Sequence, residues 1–146
     1  MPPTNQPVEA QASRLEFVFA GGSGAMTAAR DRIMDFLHDH DVGEPEEIDI
    51  FVALQEALAN AVLHGCKNDP SQIVRCSVEV DAETITIIIR DPGPGFETVA
   101  VTDASDDGTN LTQHGRGILL MRGLMDEVSY SHSGSELKLT KHRSHV

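Results

Sequence analysis

The stretch QEALANAVLHG, residues Gln55 to Gly65, places two polar side chains in an otherwise apolar helical segment. Glu56 and Asn60 are separated by one turn of an α-helix, so both side chains leave the same face. Apolar residues surround this pair on nearly every side, which predicts that the helix is buried. A buried carboxylate is costly unless it has a partner, so the pair requires either a structural contact or a ligand.

Glu56 and Asn60 admit two interpretations from this stretch alone. An asparagine oxygen is a suitable ligand for Mg²⁺, and a glutamate can accept a proton from a hydroxyl group or from water. Alternatively, Asn60 bonds to the backbone and Glu56 forms an ion pair with an arginine such as Arg122. Without further motifs, the structural interpretation is the better one.

The residues around this helix predict a series of strands and helices. The sequence GEPEE at residues 43–47 is typical of a helix start, because proline needs no N–H in the first turn and glutamates suit the positive end of the helix. Alternating apolar residues predict strands, and a three-residue connection at Asp81–Glu83 predicts an antiparallel hairpin. The predicted elements, in chain order, are a strand at 14–20, a helix at 25–39, a helix at 43–64 stopped by Gly65, strands at 71–80 and 84–91, a helix at 115–125, and strands at 128–130 and 136–140.

The sequence DPGPGF at residues 91–96 is the second feature that can carry chemistry. Asp91 continues the apolar face of the preceding strand, where it can accept a hydrogen bond from the amino group of a buried heterocycle such as adenine. Gly93 and Gly95 allow a flat base or a sugar to approach the backbone closely, because they carry no Cβ. The alternative is a tight turn after an edge strand. The inward position of Asp91 favours the functional interpretation.

A glycine-containing helix start, HGRGILLM at residues 114–121, is the third feature. Glycines there expose backbone N–H groups at the positive end of the helix, which suits an anion, and Arg116 can contact phosphate oxygens through two hydrogen bonds. The alternative is an ordinary helix start with a solvated arginine. The polar stretch TDASDDGTN at residues 102–110 precedes this motif and predicts a mobile loop, which in a compact domain is often a functional lid.

The composition limits the class of protein. A chain of 146 residues is most simply one domain, and its net charge of −12 disfavours binding to nucleic acid or to anionic lipid. The sequence contains two cysteines, no apolar run long enough to cross a membrane, and no signal peptide. These features predict a cytoplasmic protein with a disordered leader at residues 1–13 and a single domain at residues 14–143.

The three motifs occur in an order that resembles the GHKL ATPase superfamily, which includes gyrase and the histidine kinases. These motifs are ExxxN on a helix, DxGxG after a strand and GxG before a helix. The sequences EALANAVLHG, RDPGPGF and HGRGILLMRGLMDEV are similar to those of the anti-sigma-factor serine kinases. The resemblance covers residues 14–143. It implies the Bergerat ATP-binding fold, an α/β two-layer sandwich in which a mixed, mainly antiparallel sheet carries its helices on one face.

The resemblance implies roles for the residues at matching positions. Glu56 corresponds to the general base, Asn60 to the residue that binds Mg²⁺, and Asp91 to the residue that reads adenine. His64 lies one turn beyond Asn60 and either lines the same pocket or satisfies carbonyl groups at the helix end. The other positions expected to contact ATP are Gly93 and Gly95 beside the nucleotide, and Gly115, Arg116, Gly117 and Ile118 near the phosphates. The HGRG sequence lacks the Ser or Thr of some relatives, which leaves the details of its phosphate contacts open.

By the same resemblance, the chain is expected to be an ATP-dependent kinase that phosphorylates a serine or threonine of an anti-anti-sigma (STAS-type) protein and also sequesters a sigma factor. A homodimer is expected, with no direct contact to nucleic acid or membrane. The alternative is a nucleotide-gated binding protein without phosphotransfer, although Glu56 favours the kinase because binding alone needs no base. The catalytic piece of a histidine kinase is less favoured, since the chain has no room for a phosphoacceptor domain.

Overall fold

A computed structural model describes residues 12–93, 113–131 and 135–144, and within these ranges the chain forms three α-helices and five strands. A 3₁₀ turn at Ser23–Ala25 precedes the first helix, and a π-helical turn at Ala61–Gly65 follows the second. The predicted order of strands and helices is confirmed. The bounds of the elements are β1 Ser13–Ala20, α1 Met26–Asp39, α2 Glu46–Asn60, β2 Ile73–Val80, β3 Thr84–Arg90, α3 Gln113–Leu124, β4 Glu127–Ser131 and β5 Glu136–His142.

The five strands form one sheet in the order β1-β2-β3-β5-β4, and each neighbouring pair among these described strands is antiparallel. β2 and β3 form the predicted hairpin, in which Cys76 lies opposite Ile89. Phe17 of β1 lies opposite Cys76, and Leu137 of β5 lies opposite Ile89. This register places one row of apolar side chains across a single face of the sheet. The expectation of a mainly antiparallel sheet is confirmed.

The helices cover one face of this sheet. On the other side of β2, Ile73, Arg75 and Glu79 are exposed. α2 packs between α1 and α3. The core between the layers contains Ile33 and Leu37 of α1, Ile50, Leu54 and Leu58 of α2, Val74, Cys76 and Val78 of β2, Ile85, Ile87 and Ile89 of β3, and Ile118 and Met121 of α3. The arrangement is the predicted two-layer α/β sandwich.

The central helix α2 begins at Glu46, directly after Pro45, as the sequence GEPEE predicts. Its first turn is acidic, which suits the positive end of the helix dipole. The α-helical part ends at Asn60, and the chain continues as a π-helical turn in which the Cys66 N–H donates to the Ala61 carbonyl at 2.9 Å. The helical segment thus ends near the expected position, but its last 5 residues are wound more widely. Single π turns are frequent at functional sites.

The residues at the end of β5 and just beyond it connect the sheet to the start of α2. We call residues 141–144 the C-terminal clasp. Lys141 forms an ion pair with Asp49 of α2 at 2.9 Å. The Glu46 carboxylate accepts hydrogen bonds from the Ser144 backbone N–H at 3.1 Å and from the Ser144 hydroxyl. These contacts fix the first turn of α2 relative to the sheet.

Several expectations concern residues that lie partly or wholly outside the described ranges. Gly95, the expected lid at residues 102–110 and most of the expected leader are among them. Gly115 and Arg116 belong to the first turn of α3, and only their backbone is described. Within the described ranges, no helix is both long enough and apolar enough to cross a membrane.

Candidate functional site

The last turn of α2 carries Glu56 and Asn60, and α3 passes both residues at Gly117. A Cβ atom built on Gly117 would lie 2.6 Å from Glu56 Oε1 and 3.7 Å from Asn60 Nδ2. Because Gly117 has no side chain, the two helices can approach this closely. The structure therefore brings together residues of the first and third sequence motifs, which are distant along the chain.

The side-chain amide of Asn60 lacks a partner in this region. Its Nδ2 atom is buried and has no hydrogen-bond partner among the described residues. A buried polar group without a partner costs about 1–3 kcal/mol, so such groups are rare unless an ion or ligand supplies the partner. Rotation of the amide by half a turn exchanges its nitrogen and oxygen. Asn60 can therefore present either a donor or an oxygen ligand.

Glu56 is half-buried and has no ion-pair or hydrogen-bond partner within the described ranges. The ion pair with Arg122, which the sequence left open, is not formed. Arg122 lies instead near Tyr130, where burial raises the pKa of the phenol and the arginine charge opposes that shift. Glu56 also lines a groove between α1 and α2. The other residues of this groove are Met26, Thr27, Arg30, Gln55, Leu58 and Ala59.

Asp91 follows β3 directly and is half-buried at the inner face of the sheet, as predicted. Its Oδ1 atom accepts a hydrogen bond from the Gly93 backbone N–H at 2.8 Å. Burial raises the pKa of Asp91, and the hydrogen bond from Gly93 opposes that shift. Its Oδ2 atom accepts no hydrogen bond from any residue that the structure describes. Asp91 therefore offers one acceptor atom to a ligand.

Gly65, which ends the π turn, packs directly against the Asp91 carboxyl group. A Cβ atom on Gly65 would overlap with Asp91 Cγ and would lie 2.6 Å from Asp91 Cβ. A Cβ atom on Gly93 would in turn lie 2.7 Å from the Gly65 Cα. Sequence reasoning assigned Gly65 only the role of a helix stop and missed this contact. No local signal could have revealed it, because it joins a helix end to a distant strand end.

One continuous segment connects the two halves of the site. Asn60 ends α2 close to Gly117, and Gly65 ends the following π turn against Asp91. A proton acceptor, an unpaired amide and an unpaired carboxylate oxygen therefore surround the end of a single buried helix. This set can bind a hard cation, accept a hydroxyl proton and accept a hydrogen bond from an amino group.

The remaining predicted residues differ in what they can offer to a ligand. His64 is exposed at the π turn. Ile118 is fully buried in the core, so only its backbone is available. Gly115 is the third residue of α3, where backbone N–H groups have no partner within the helix, and Arg116 follows it. Among the described residues, no group of three or more His, Cys, Asp and Glu side chains is arranged to hold a metal ion.

Known proteins resemble this chain over most of its length. A family model described as the histidine kinase-like ATPase domain matches residues 22–141. The anti-sigma F factor of Anoxybacillus flavithermus is 33% identical over 135 residues, which cover 89% of this chain and 92% of that protein. The anti-sigma F factor of Clostridium novyi is 30% identical over 118 residues, which cover 80% of this chain and 82% of that protein.

A solved structure shares the fold. The crystal structure of the RsbU and RsbW domains of Rv1364c from Mycobacterium tuberculosis matches with a TM-score of 0.58 at 16% sequence identity. The match covers 90% of this chain and 32% of that chain, so this chain spans about a third of the length of the solved one. This likeness concerns the fold alone.

Proposed function

Because this chain belongs to the histidine kinase-like ATPase family and to the anti-sigma factors within it, we propose that it is a serine/threonine protein kinase that phosphorylates an anti-anti-sigma protein and sequesters a sigma factor. The observation that carries this proposal is the pairing of the unpartnered Asn60 amide with the unpartnered Glu56 carboxylate at Gly117. An ATPase domain implies ATP binding, and these groups suit the phosphate end of that nucleotide.

Asp91 and Gly93 bind the adenine ring in this proposal. Oδ2 of Asp91 accepts a hydrogen bond from the exocyclic amino group, while Oδ1 stays on the Gly93 N–H. A half-buried carboxylate needs such a donor, because it has given up part of its hydration. Gly93 lets the ring approach the backbone, and Gly95 and His64 complete the surroundings of the nucleotide.

Asn60 and the start of α3 hold the phosphate end. The Asn60 oxygen is a suitable ligand for Mg²⁺, which proteins often bind through one or two side chains together with substrate phosphates. When bound, Mg²⁺ supplies positive charge that stabilises the phosphoryl group during transfer. The backbone N–H group of Gly115 donates to a phosphate oxygen at the positive end of α3. Gly117 has no side chain and so leaves room beside α3 for the side chains of Glu56 and Asn60.

Glu56 acts as the general base. The acceptor serine or threonine enters the groove between α1 and α2, and its hydroxyl proton moves to the Glu56 carboxylate. The hydroxyl oxygen forms the new bond to the γ-phosphorus as the bond to the leaving ADP oxygen breaks. Since Glu56 has no arginine partner among the described residues, its carboxylate stays available for this proton.

The partners are proteins in this proposal. The net charge of −12 repels nucleic acid and anionic lipid and attracts basic protein surfaces. The sigma factor is held in an inactive complex, and a STAS-type anti-anti-sigma protein is the phosphate acceptor. A second copy of the chain forms a homodimer, and all these contacts take place in the cytoplasm.

Phosphotransfer is tested by incubating the protein with Mg²⁺-ATP and a candidate anti-anti-sigma protein, followed by mass spectrometry of the acceptor. The proposal predicts one phosphate on a serine or threonine, and none after Mg²⁺ is chelated. Binding of ATP and a sigma factor without any phosphate transfer would favour the nucleotide-gated binding protein. Phosphohistidine on the acceptor would favour histidine-kinase chemistry.

A further inference from the structure

Gly65 occupies a position that a residue with a side chain cannot fill without moving its neighbours. A Cβ atom there would overlap with the Asp91 carboxyl group and would lie 2.6 Å from Asp91 Cβ. The corresponding contact of Gly117 is with the far end of the flexible Glu56 side chain. The Cβ of Asp91 also lies in the way at 2.6 Å, and because Cβ moves only with the backbone, rotation of the side chain alone cannot relieve the overlap. A side chain at Gly65 would therefore be tolerated less well than one at Gly117.

The Asp91 carboxylate is held from two sides. The Gly65 Cα lies against it, and the Gly93 N–H donates to its Oδ1 atom at 2.8 Å. The Asp91 backbone is fixed as well, because its N–H donates to the Ser135 carbonyl at 3.0 Å. Rotation of the carboxylate would break the hydrogen bond to Gly93. The Oδ2 atom is therefore left as the acceptor for a ligand.

Gly65 is itself held in place by the π turn and by Cys66. The Cys66 N–H reaches back to the Ala61 carbonyl at 2.9 Å, one residue further than in an α-helix. Cys66 is buried, and a Cβ atom on Gly21 would lie 2.6 Å from Cys66 Cβ. Because the turn after β1 packs against Cys66 at Gly21, the segment cannot retreat to make room for a side chain at Gly65.

We propose that Gly65 is a specificity-determining positioning residue. Because Gly65 has no side chain, its Cα can lie against the Asp91 carboxylate and hold that group with Oδ2 toward the nucleobase. This inference rests on the proposed ATP site. A fixed acceptor favours a base with an amino group at the facing position and disfavours one with a carbonyl oxygen there, since two acceptors would then oppose each other. Gly65 thus sets the preference for a 6-aminopurine over a 6-oxopurine.

The test compares the binding of ADP and inosine diphosphate, which differ at the purine 6-position, by isothermal titration calorimetry. Gly123→Ala is the matched control, because a Cβ atom on Gly123 of α3 meets nothing within 4 Å. Wild type and Gly123→Ala should prefer ADP by about 100-fold or more, and Gly65→Ala should lose about tenfold or more of that preference. An unchanged ratio of the two affinities in Gly65→Ala overturns the inference.

A second comparison covers the case in which Gly65→Ala folds poorly. Asp91→Gly removes both the carboxyl group and Cβ, and with them every overlap between the added side chain and Asp91. Gly65→Ala should therefore lower the free energy of unfolding much less in the Asp91→Gly background than in wild type, and a complete loss of folding should be rescued there. Equal losses in both backgrounds overturn the inference.

The same measurements separate this inference from the proposed function. Wild-type protein that binds neither ADP nor inosine diphosphate overturns the nucleotide site itself. Tight, base-selective binding that Gly65→Ala leaves intact overturns only the role of Gly65.

Discussion

The two ends of α2 differ in whether their polar side chains have hydrogen-bond partners. At its start, Glu46 is 8% exposed, and its carboxylate accepts hydrogen bonds from the backbone N–H and the hydroxyl of Ser144. At its other end, the Asn60 Nδ2 atom is buried without a partner, and Glu56 is also unpaired within the described ranges. Desolvation has a cost at both ends, but the protein offsets it only at the first.

This difference separates groups that hold the fold from groups that are available to a ligand. Glu46 has hydrogen bonds to lose, so substitutions around it should lower the free energy of unfolding. Glu56 and Asn60 make no such hydrogen bonds with the described residues, so their substitution should change chemistry or binding without lowering the free energy of unfolding. Substitutions at the two ends of α2 therefore test this difference.

The largest effect should come from Glu56→Gln. The amide cannot accept the hydroxyl proton, so the rate of phosphotransfer should fall about 10²- to 10⁴-fold, whereas the affinity for ADP should stay within about twofold. Single-turnover transfer from Mg²⁺-ATP and calorimetry with ADP measure these two quantities. Glu44→Gln, at an exposed position before α2, is the control and should transfer phosphate at the wild-type rate. Full transfer by Glu56→Gln would show that another group is the base.

A smaller effect is expected for Asn60→Ala. Loss of the amide that is proposed to bind Mg²⁺ should weaken Mg²⁺-dependent ATP binding about 10- to 100-fold. The free energy of unfolding should not fall and should rise by up to about 1–3 kcal/mol, because the buried Nδ2 atom makes no hydrogen bond among the described residues and its removal relieves that cost. Calorimetry with and without EDTA gives the first quantity, and urea unfolding gives the second. A large loss of stability with unchanged ATP binding would assign Asn60 to the fold.

The sequence predicts the end of α2 that carries Glu56 and Asn60 better than the rest of the candidate site. Helical periodicity places Glu56 and Asn60 on one face, and strand alternation points Asp91 inward, because each rule acts over a few neighbouring residues. The hairpin of β2 and β3 follows from the same alternation. Local rules therefore account for the order of the elements and for the residues that carry the proposed chemistry.

The contacts between distant segments could not be predicted in this way. The overlap of Gly65 with Asp91 depends on how the π turn meets the end of β3, and a glycine after a helix indicates only a helix end. The hydrogen bonds of Glu46 to Ser144 join the start of α2 to the chain beyond β5, and neither residue belongs to a motif. The contacts at both ends of α2 thus depend on tertiary structure, which local sequence rules do not predict.

At the start of α2, Ser144→Ala should lower the free energy of unfolding by about 1–2 kcal/mol, because the Glu46 carboxylate loses a hydrogen bond from a hydroxyl. The affinity for ADP should not change, since the C-terminal clasp lies away from the proposed nucleotide site. Urea unfolding and calorimetry measure both quantities. Ser129→Ala, at an exposed position on β4, should be neutral. Reduced ADP affinity in folded Ser144→Ala would mean that the two ends of α2 are coupled.

The smallest effect should be a difference in pH dependence between the two regions. Hydrogen bonds from Ser144 lower the pKa of Glu46 below its usual 4.5, so the stability that Glu46 contributes is complete above about pH 4.5 and is lost as the pH falls through the folded-state pKa. Burial raises the pKa of Asp91 above its usual 3.8, so the charged carboxylate costs stability above its folded-state pKa, and acidification removes that cost.

The two carboxylates should therefore respond oppositely to neutral substitution. Between about pH 3 and pH 6, Glu46→Gln should flatten the decrease in the free energy of unfolding on acidification, and Asp91→Asn should steepen it. Urea unfolding at several pH values, with wild type measured alongside, gives the slopes. Slopes that change in the same direction in both variants would contradict the comparison. Opposite changes would mean that the C-terminal clasp stabilises the charged Glu46 carboxylate in the folded chain. They would also mean that the charged Asp91 carboxylate lowers the stability of the fold until a ligand donates a hydrogen bond to it.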